Sequence, residues 1–558
     1  MQRIFNRYSH IVLFIICFIV CDAVYGQAPK WQKKARKTML TLITYDDKGQ
    51  ILHTTNGFYI HNDGTAIADY HSFKDATSAI AFDEEGKSWP VECILGANSL
   101  YDVVKIKVGS KKTNGLTIAE KGGQQGNTAF ILPYLTNNKT DAIATSITNV
   151  STFNSKYDYY TLPTAVPEKW TSCPVMNEAG QVIGILQMSA LPKDTCCYAV
   201  SIRFAEDLHT QALSMTAADY QAIHIKKALP EEASQAYSFI YLMGNRDTTA
   251  YLNYVEDFIT RFPEEVNGYI MKAEMMAAKR LFEQAEASWN EGLKKTKHEA
   301  DIHYSRANTI YQTVQAGSAP EYWTLDTALS ELENTGTQQQ PVYTALKAKI
   351  LYSKKLYEEA CKEFLDLNKT NLRSADNFLY AAQCRQMLGD TTAVLALQDS
   401  AIACYTLPYV EAAAPALLMR STTLISMGRY REAVRDLNDY EHLKSNELNA
   451  NFYYRREQAE MRCRMFQQAI DDIERAIRME PREPLFHAEA AAVYYRIHQL
   501  DDAVREARAA IAIDDRFQDA YRILGVCLRA QQKEDEAREA LQHAADLGDE
   551  IAKGMLQQ

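Results

Sequence analysis

A chain of 558 residues with 47% hydrophobic and 23% charged residues exceeds the size at which one core keeps growing, so two or more domains are expected. Its 23 glycines and 15 prolines are too few for collagenous or low-complexity chains and lean against an all-β chain. The net charge of -11 is unevenly placed: residues 1–230 carry 22 of the 60 basic and 20 of the 71 acidic groups, so the acidity lies further on and sequence-independent nucleic-acid binding is disfavoured.

Arg3 and Arg7 precede an apolar run from Ile11 to Val20, and Val24-Tyr25-Gly26 offers a small residue before a cut at Gln27. This is the pattern of a secretory signal peptide over 1–26. A membrane anchor needs about 17–25 apolar residues, more than this run supplies, and no later stretch is expected to cross a bilayer. The expected location is outside the cytoplasm: periplasmic, envelope-associated or secreted. A lipidated Cys21 is disfavoured by the bulk of Val20. Nine cysteines follow the leader, an odd number whose spacing matches no zinc framework. Those beyond position 360 read as small buried apolar residues. Cys93, Cys173 and the Cys196/Cys197 pair are candidates for one disulfide.

From Thr38 to about Val200 the pattern is short and alternating: Met39 to Tyr45, Gly57 to Ile60, Ser78 to Phe82, Val103 to Val108, Thr128 to Leu132, Tyr159 to Leu162, Val182 to Leu186 and Tyr198 to Ile202. Turn signals such as Asn62-Asp63-Gly64, Glu85-Gly86 and Glu178-Ala179-Gly180 lie between them, as in a β-barrel or sandwich. Gly122-Gly123-Gln124-Gln125-Gly126 has the glycines of a dinucleotide fingerprint but opens no helix, so a loop is expected. A linker over 206–231 is expected to hold one helix, Ala217 to Lys227. From about Glu231 apolar residues recur every three or four positions, and the chain reads as helical over 232–558.

The helical part repeats. Ala469, Ala503 and Ala537 are 34 residues apart, and each is followed seven residues later by Ala476, Ala510 and Ala544. Twelve residues before each stands the close-contact position of the preceding helix: Glu457, Ala491 and Gly525. Pro481 closes one unit. Looser copies centre on Ala285, Ala328, Ala360, Ala393 and Ala433, for about eight repeats from roughly 265 to 550 and a degenerate one from Ser234 to Pro263. This resembles the tetratricopeptide repeat. The resemblance implies a solenoid whose groove takes protein or peptide partners. Positions expected to face that groove include Tyr454, Met461, Arg462, Tyr495, Arg496, Arg522 and Arg529, residue types rich in contact area and planar hydrogen bonding.

In the β part, Asn56-Gly57-Phe58-Tyr59-Ile60 leads through a turn to Ala68-Asp69-Tyr70-His71-Ser72-Phe73. Asp102 begins a strand 31 residues after His71, and Thr171-Ser172-Cys173-Pro174-Val175-Met176-Asn177 precedes a hairpin. The order His, Asp, Ser/Thr resembles the chymotrypsin-fold serine endopeptidases, most closely their bacterial Deg-type branch, across about residues 37–205. The resemblance implies an all-β double barrel in which His71 takes the nucleophile's proton, Asp102 holds the imidazole, and N–H groups near 169–171 bind the oxyanion. Tyr198 to Ile202 would line the specificity pocket, which lacks a charge selector.

The nucleophile motif departs from the family's Gly-Asn-Ser-Gly-Gly-Pro. Anchored on Pro174, the preceding places hold Lys169, Trp170, Thr171, Ser172 and Cys173, which puts Thr171 at the nucleophile; a turn one residue shorter would put Ser172 there. Threonine's extra methyl crowds attack, and the lost glycines oppose the backbone angles that an oxyanion turn needs. No metal site, cofactor or nucleotide motif is expected. The sequence reads as an exported adaptor with a trypsin-like domain of impaired catalysis. The alternative is an active serine endopeptidase whose repeats recruit substrate. Oligomeric state is not legible.

Overall fold

The structure is a computed structural model that describes residues 29–110, 113–134, 140–187, 195–244, 248–336 and 340–557. The leader expected over 1–26 lies outside the described residues. Contacts divide the chain into two compact units at His298/Glu299.

In the first unit, β1 (Met39–Tyr45), β2 (Ile51–Tyr59), β3 (Thr65–Ala68), β4 (Ser78–Phe82), β5 (Ser88–Asn98) and β6 (Val103–Val108) close into a barrel of order β1-β2-β3-β6-β5-β4. Alternating burial drives it: Leu40, Leu42, Ala66, Ala68, Ala79, Ala81, Val104 and Ile106 fill its interior. Fully burying each leucine, isoleucine or valine contributes roughly 1.5–3 kcal/mol. Gly57 is required where β2 crosses β3, because a Cβ there would stand 2.8 Å from the Ile67 carbonyl and 2.7 Å from Leu42 Cδ1. A second, seven-stranded sheet follows: β7 (Thr128–Ile131), β8 (Ile143–Ser146), β9 (Asn149–Phe153), β10 (Tyr157–Leu162), β11 (Pro174–Met176), β12 (Val182–Gln187) and β13 (Cys197–Ser201), in the order β8-β7-β11-β12-β13-β10-β9. One apolar cluster joins the two assemblies, with Met39, Phe58, Ile67 and Val103 against Met176, Val182, Ile185 and Val200.

The helix expected from Ala217 to Lys227 is a correction. Only Ala218–Gln221 is helical, and the following residues run extended, with Ile94 pairing in parallel to Lys227. The reason is a period of two. Ile223 and Ile225 are buried against the barrel core while His224 and Lys226 face outward, a pattern that no helix can satisfy. The Lys227 N–H donates to the Tyr254 hydroxyl at 2.8 Å, and Arg261 Nη1 donates to the Leu229 carbonyl at 3.0 Å, tying the segment to the helices beyond it. The nine cysteines from Cys93 to Cys527, all among the described residues, are free thiols.

Among the described residues, nineteen α-helices follow. The first unit ends with α1 (Ala233–Met243), α2 (Thr248–Arg261), α3 (Val266–Ala278) and α4 (Phe282–Lys295). The second unit is a solenoid of helix pairs: α5 (Glu299–Gln315) with α6 (Leu325–Glu333), α7 (Pro341–Ser353) with α8 (Tyr357–Leu367), α9 (Ala375–Met387) with α10 (Thr391–Ile402), α11 (Ala414–Ser426) with α12 (Tyr430–Lys444), α13 (Ala450–Arg462) with α14 (Phe466–Met479), α15 (Pro484–Arg496) with α16 (Leu500–Ile513), and α17 (Gln518–Ala530) with α18 (Glu534–Asp546). Ala469, Ala503, Ala537, Ala476, Ala510 and Ala544 are all fully buried, as close helix packing demands. A residue of positive φ turns the chain between paired helices; three such turns use Arg464, His498 and Gln532, again 34 residues apart. Helix α19 (Glu550–Leu556) lies over Leu541, Ala544 and Ala545, its Ala552, Met555 and Leu556 packed inward.

Candidate functional site

His71 opens a short 3-10 turn after β3, Asp102 directly precedes β6, and the segment from Glu168 to Cys173 leads into β11. The His71 backbone N–H donates to Asp102 Oδ1 at 2.8 Å. Burial, and next the charge of Asp69, push the Asp102 carboxyl above its ordinary value, against that N–H. The His71 ring is exposed and lies 5.5 Å from the ring of His53. Among the described residues, it makes no hydrogen bond to Asp102, Thr171 or Ser172.

The hydroxyls of the turn point elsewhere. Thr171 Oγ1 donates to the Glu168 carbonyl at 2.8 Å. Ser172 is fully buried with φ of 66°, and its hydroxyl donates to Asp69 Oδ1 at 2.9 Å. Burial pushes the Cys173 thiol up to about 12, far from a nucleophilic thiolate. The N–H groups are also engaged: Trp170 donates to the Pro167 carbonyl at 2.9 Å, Thr171 to Glu168 at 2.9 Å, Ser172 to Leu186 at 3.0 Å and Cys173 to Trp170 at 3.1 Å. A pair of converging free donors, which an oxyanion requires, is absent from residues 170–173.

Two residues that sequence reasoning did not single out hold this turn. Asn56 Nδ2, from β2, donates to the carbonyls of Lys169 at 2.7 Å and Thr171 at 3.2 Å. Asp69 is buried; besides Ser172 it accepts the Ser72 N–H at 2.8 Å and the Thr55 hydroxyl. The available signal was an acid flanked by apolar residues at a strand end, two places before His71. Tyr198, expected to line a specificity pocket, stacks on Tyr159 with ring centroids 5.7 Å apart.

In the solenoid, Arg462 and Arg496 are exposed, Tyr495 and Met461 are half-buried, and Tyr454 packs against Phe486 with centroids 5.5 Å apart. Arg522 pairs with Asp519 and, at 3.3 Å, with Asp549. Arg529 donates to the Met555 carbonyl at 3.4 Å. These last two arginines therefore already serve contacts within the solenoid. Buried charge concentrates on α13. Arg456 grips Asp472 through two bonds of 2.6 and 2.8 Å and Glu441 through one of 2.6 Å. Arg420 grips Asp436 in the same way one pair earlier, at 2.8 and 2.7 Å. Among the described residues Glu457 has no such cation, and Glu460 has only Arg456 Nε at 3.9 Å. Glu457 is fully buried, with Gln458 donating to one oxygen at 2.8 Å and no partner on the other. Burial pushes both carboxyls up to about 8, helped by Glu489 at the first and Asp472 at the second.

No family model matches the sequence. Small glutamine-rich tetratricopeptide repeat-containing protein 2 of Saccharomyces cerevisiae is 33% identical over 91 residues, 16% of this chain and 26% of that protein. The protein of the same name from Mycosarcoma maydis is 34% identical over 79 residues, 14% of this chain and 22% of that protein. The chain thus spans about a quarter of the length of the curated relatives it matches. Among solved structures, the crystal structure of MamA aligns at 21% identity over 31% of this chain and 96% of that one, with a TM-score of 0.27. The inactive form of Rv3671c from M. tuberculosis H37Rv aligns at 13% identity over 32% of this chain and 89% of that one, with a TM-score of 0.26. Similarity to tetratricopeptide-repeat proteins, together with the helix-pair solenoid, supports repeats of that type behind a β region.

Proposed function

We propose that the protein is an exported adaptor whose helical repeats hold segments of protein partners, and whose β domain is a trypsin-like scaffold that no longer cleaves peptide bonds. The inward direction of the turn's polar groups carries this reading: the N–H groups of residues 170–173 all end on protein carbonyls, and neither Thr171 nor Ser172 offers its hydroxyl to His71. Acyl transfer needs a nucleophile bonded to its base and donors aimed at the developing oxyanion, and loss of one such donor alone costs about 100-fold to 1,000-fold in rate.

The test is a fluorophosphonate probe on the mature protein, with digestion of an unfolded polypeptide measured in parallel. The adaptor reading expects no adduct and no cleavage, alongside stable capture of protein partners. An adduct that disappears in His71→Ala would establish the endopeptidase reading in its place.

A further inference from the structure

A cavity of about 270 Å³ opens between α11 and α13, the first helices of two successive pairs, with α12 and the loop before α13 closing its sides. Its apolar lining comes from Leu418, Ile425, Leu437, Tyr440 and Phe452. Besides the Tyr440 phenol, the wall's two aliphatic hydroxyls are turned away: Ser421 and Thr422 donate to the Leu418 carbonyl at 2.8 and 3.0 Å. The base therefore favours hydrocarbon. The volume falls just below the roughly 300–1,000 Å³ of small-molecule sites, and suits one large apolar side chain better than a cofactor.

The rim has a different chemistry. Arg455 is exposed, and among the described residues it makes no ion pair or hydrogen bond. Its neighbours differ: Arg456 is held by Asp472 and Glu441, Arg420 by Asp436 and Asp399, and Lys444 by Glu411 and Glu447. Asn449 spends its side-chain oxygen on the Phe452 N–H at 3.0 Å, which leaves its amide N–H groups as donors beside the exposed Asn451. The rim carboxylate, Glu447, is paired with Lys444 at 3.1 Å. An unpaired guanidinium and two amides beside an apolar hole complement an acceptor-rich, negatively charged group next to an apolar one.

We infer that this cavity is a docking site for an extended protein segment in which a large apolar side chain, seated among Leu418, Ile425 and Phe452, stands next to an aspartate or glutamate that pairs with Arg455. The inference rests on the adaptor reading and specifies its partner. An internal acidic residue suits the site better than a chain end, because helix pairs continue on both sides of the cavity and leave a path for the segment in each direction. The aliphatic anchor supplies affinity by burial, and the carboxylate fixes register.

The probe is the fluorescein-labelled peptide Ser-Gly-Leu-Asp-Gly-Ser, acetylated and amidated, titrated by anisotropy into the full mature chain. Binding is expected to weaken at least tenfold when the peptide leucine becomes serine, and similarly in Ile425→Trp, which fills the hole. Thr422→Trp, at an exposed rim position, gives the same readout without touching the core. Arg455→Glu should reverse the preference toward the peptide with lysine in place of aspartate. The inference is overturned if the parent does not bind the peptide, if both tryptophan variants bind it as the parent does, or if a peptide ending in a free leucine carboxylate binds better than the internal aspartate form. Retention of protein partners by the immobilised Thr422→Trp variant, with peptide binding unchanged, would leave the adaptor reading standing and remove this site. Loss of all protein capture by the parent would remove both.

Discussion

The turn at 168–173 and the helix contact at Glu457 both carry residues foreign to their positions, and what surrounds each newcomer sets its consequence. In the turn, both hydroxyls and two carbonyls find partners, Ser172 with Asp69, Thr171 with Glu168 and the carbonyls of Lys169 and Thr171 with Asn56, while the buried indole N–H of Trp170 has none among the described residues. In the solenoid, a carboxylate occupies the place that Ala491 and Gly525 fill in the next two pairs, with one oxygen unbonded in a dry contact. Burying a polar group is nearly neutral when it is satisfied and costs about 1–3 kcal/mol when it is not. The turn leaves one neutral donor unmet, whereas the helix contact leaves part of a carboxylate unmet, the heavier load.

The largest effect on this contrast is expected from Arg456→Met, which strands Asp472 and Glu460 in the interior while Glu441 keeps Arg475 at 2.9 Å. It should lower the stability of the second unit by about 3–5 kcal/mol in urea titrations. Glu457 and Glu460 come next, through pH. Their folded carboxyls titrate near 8, above the unfolded value of roughly 4.3, so the folded state binds the proton more tightly. Their contribution is therefore complete below pH 4 and is lost as pH rises to 8, by at most about 1.4 kcal/mol per pH unit for each group. Glu457→Gln should flatten that decline and raise stability at pH 8 by about 1–3 kcal/mol, whereas at pH 4 it should change little. Asn56→Ala removes the clamp on two carbonyls and should cost the first unit about 1–2 kcal/mol, read as a lower thermal midpoint. The smallest change is expected from Thr171→Ser. Placing serine at the candidate nucleophile position without freeing the donors of residues 170–173 should yield no fluorophosphonate adduct.

The β architecture was largely legible, because alternation survives wherever one face meets the core: β1, β4 and β6 have the bounds that their apolar period predicts. β5 escaped notice because Pro90 and Glu92 interrupt its alternation, yet it runs from Ser88 to Asn98 and pairs with both β4 and β6. β11 is only three residues long, too short to show a period. The 34-residue recurrence of alanine registers a constraint that every helix pair must meet, and for that reason it is visible without coordinates. Side-chain direction is another matter. Nothing in Thr171-Ser172-Cys173 says that the serine faces Asp69, since that depends on Leu186 taking the Ser172 N–H and on Asn56 taking the carbonyls from a strand over a hundred residues away. The donor-rich rim at Arg455 was hidden for a similar reason: among several arginines in that stretch, only their partners show which are occupied.

Helix α19 carries one further implication. By laying Ala552, Met555 and Leu556 over Leu541 and Ala544, and by offering Asp549 to Arg522, it blunts an edge that would otherwise be as adhesive as any internal junction of the stack. Its outward Glu550 and Lys553 stand beside the exposed Ile551, so the helix exchanges a continuous apolar seam for a mixed surface.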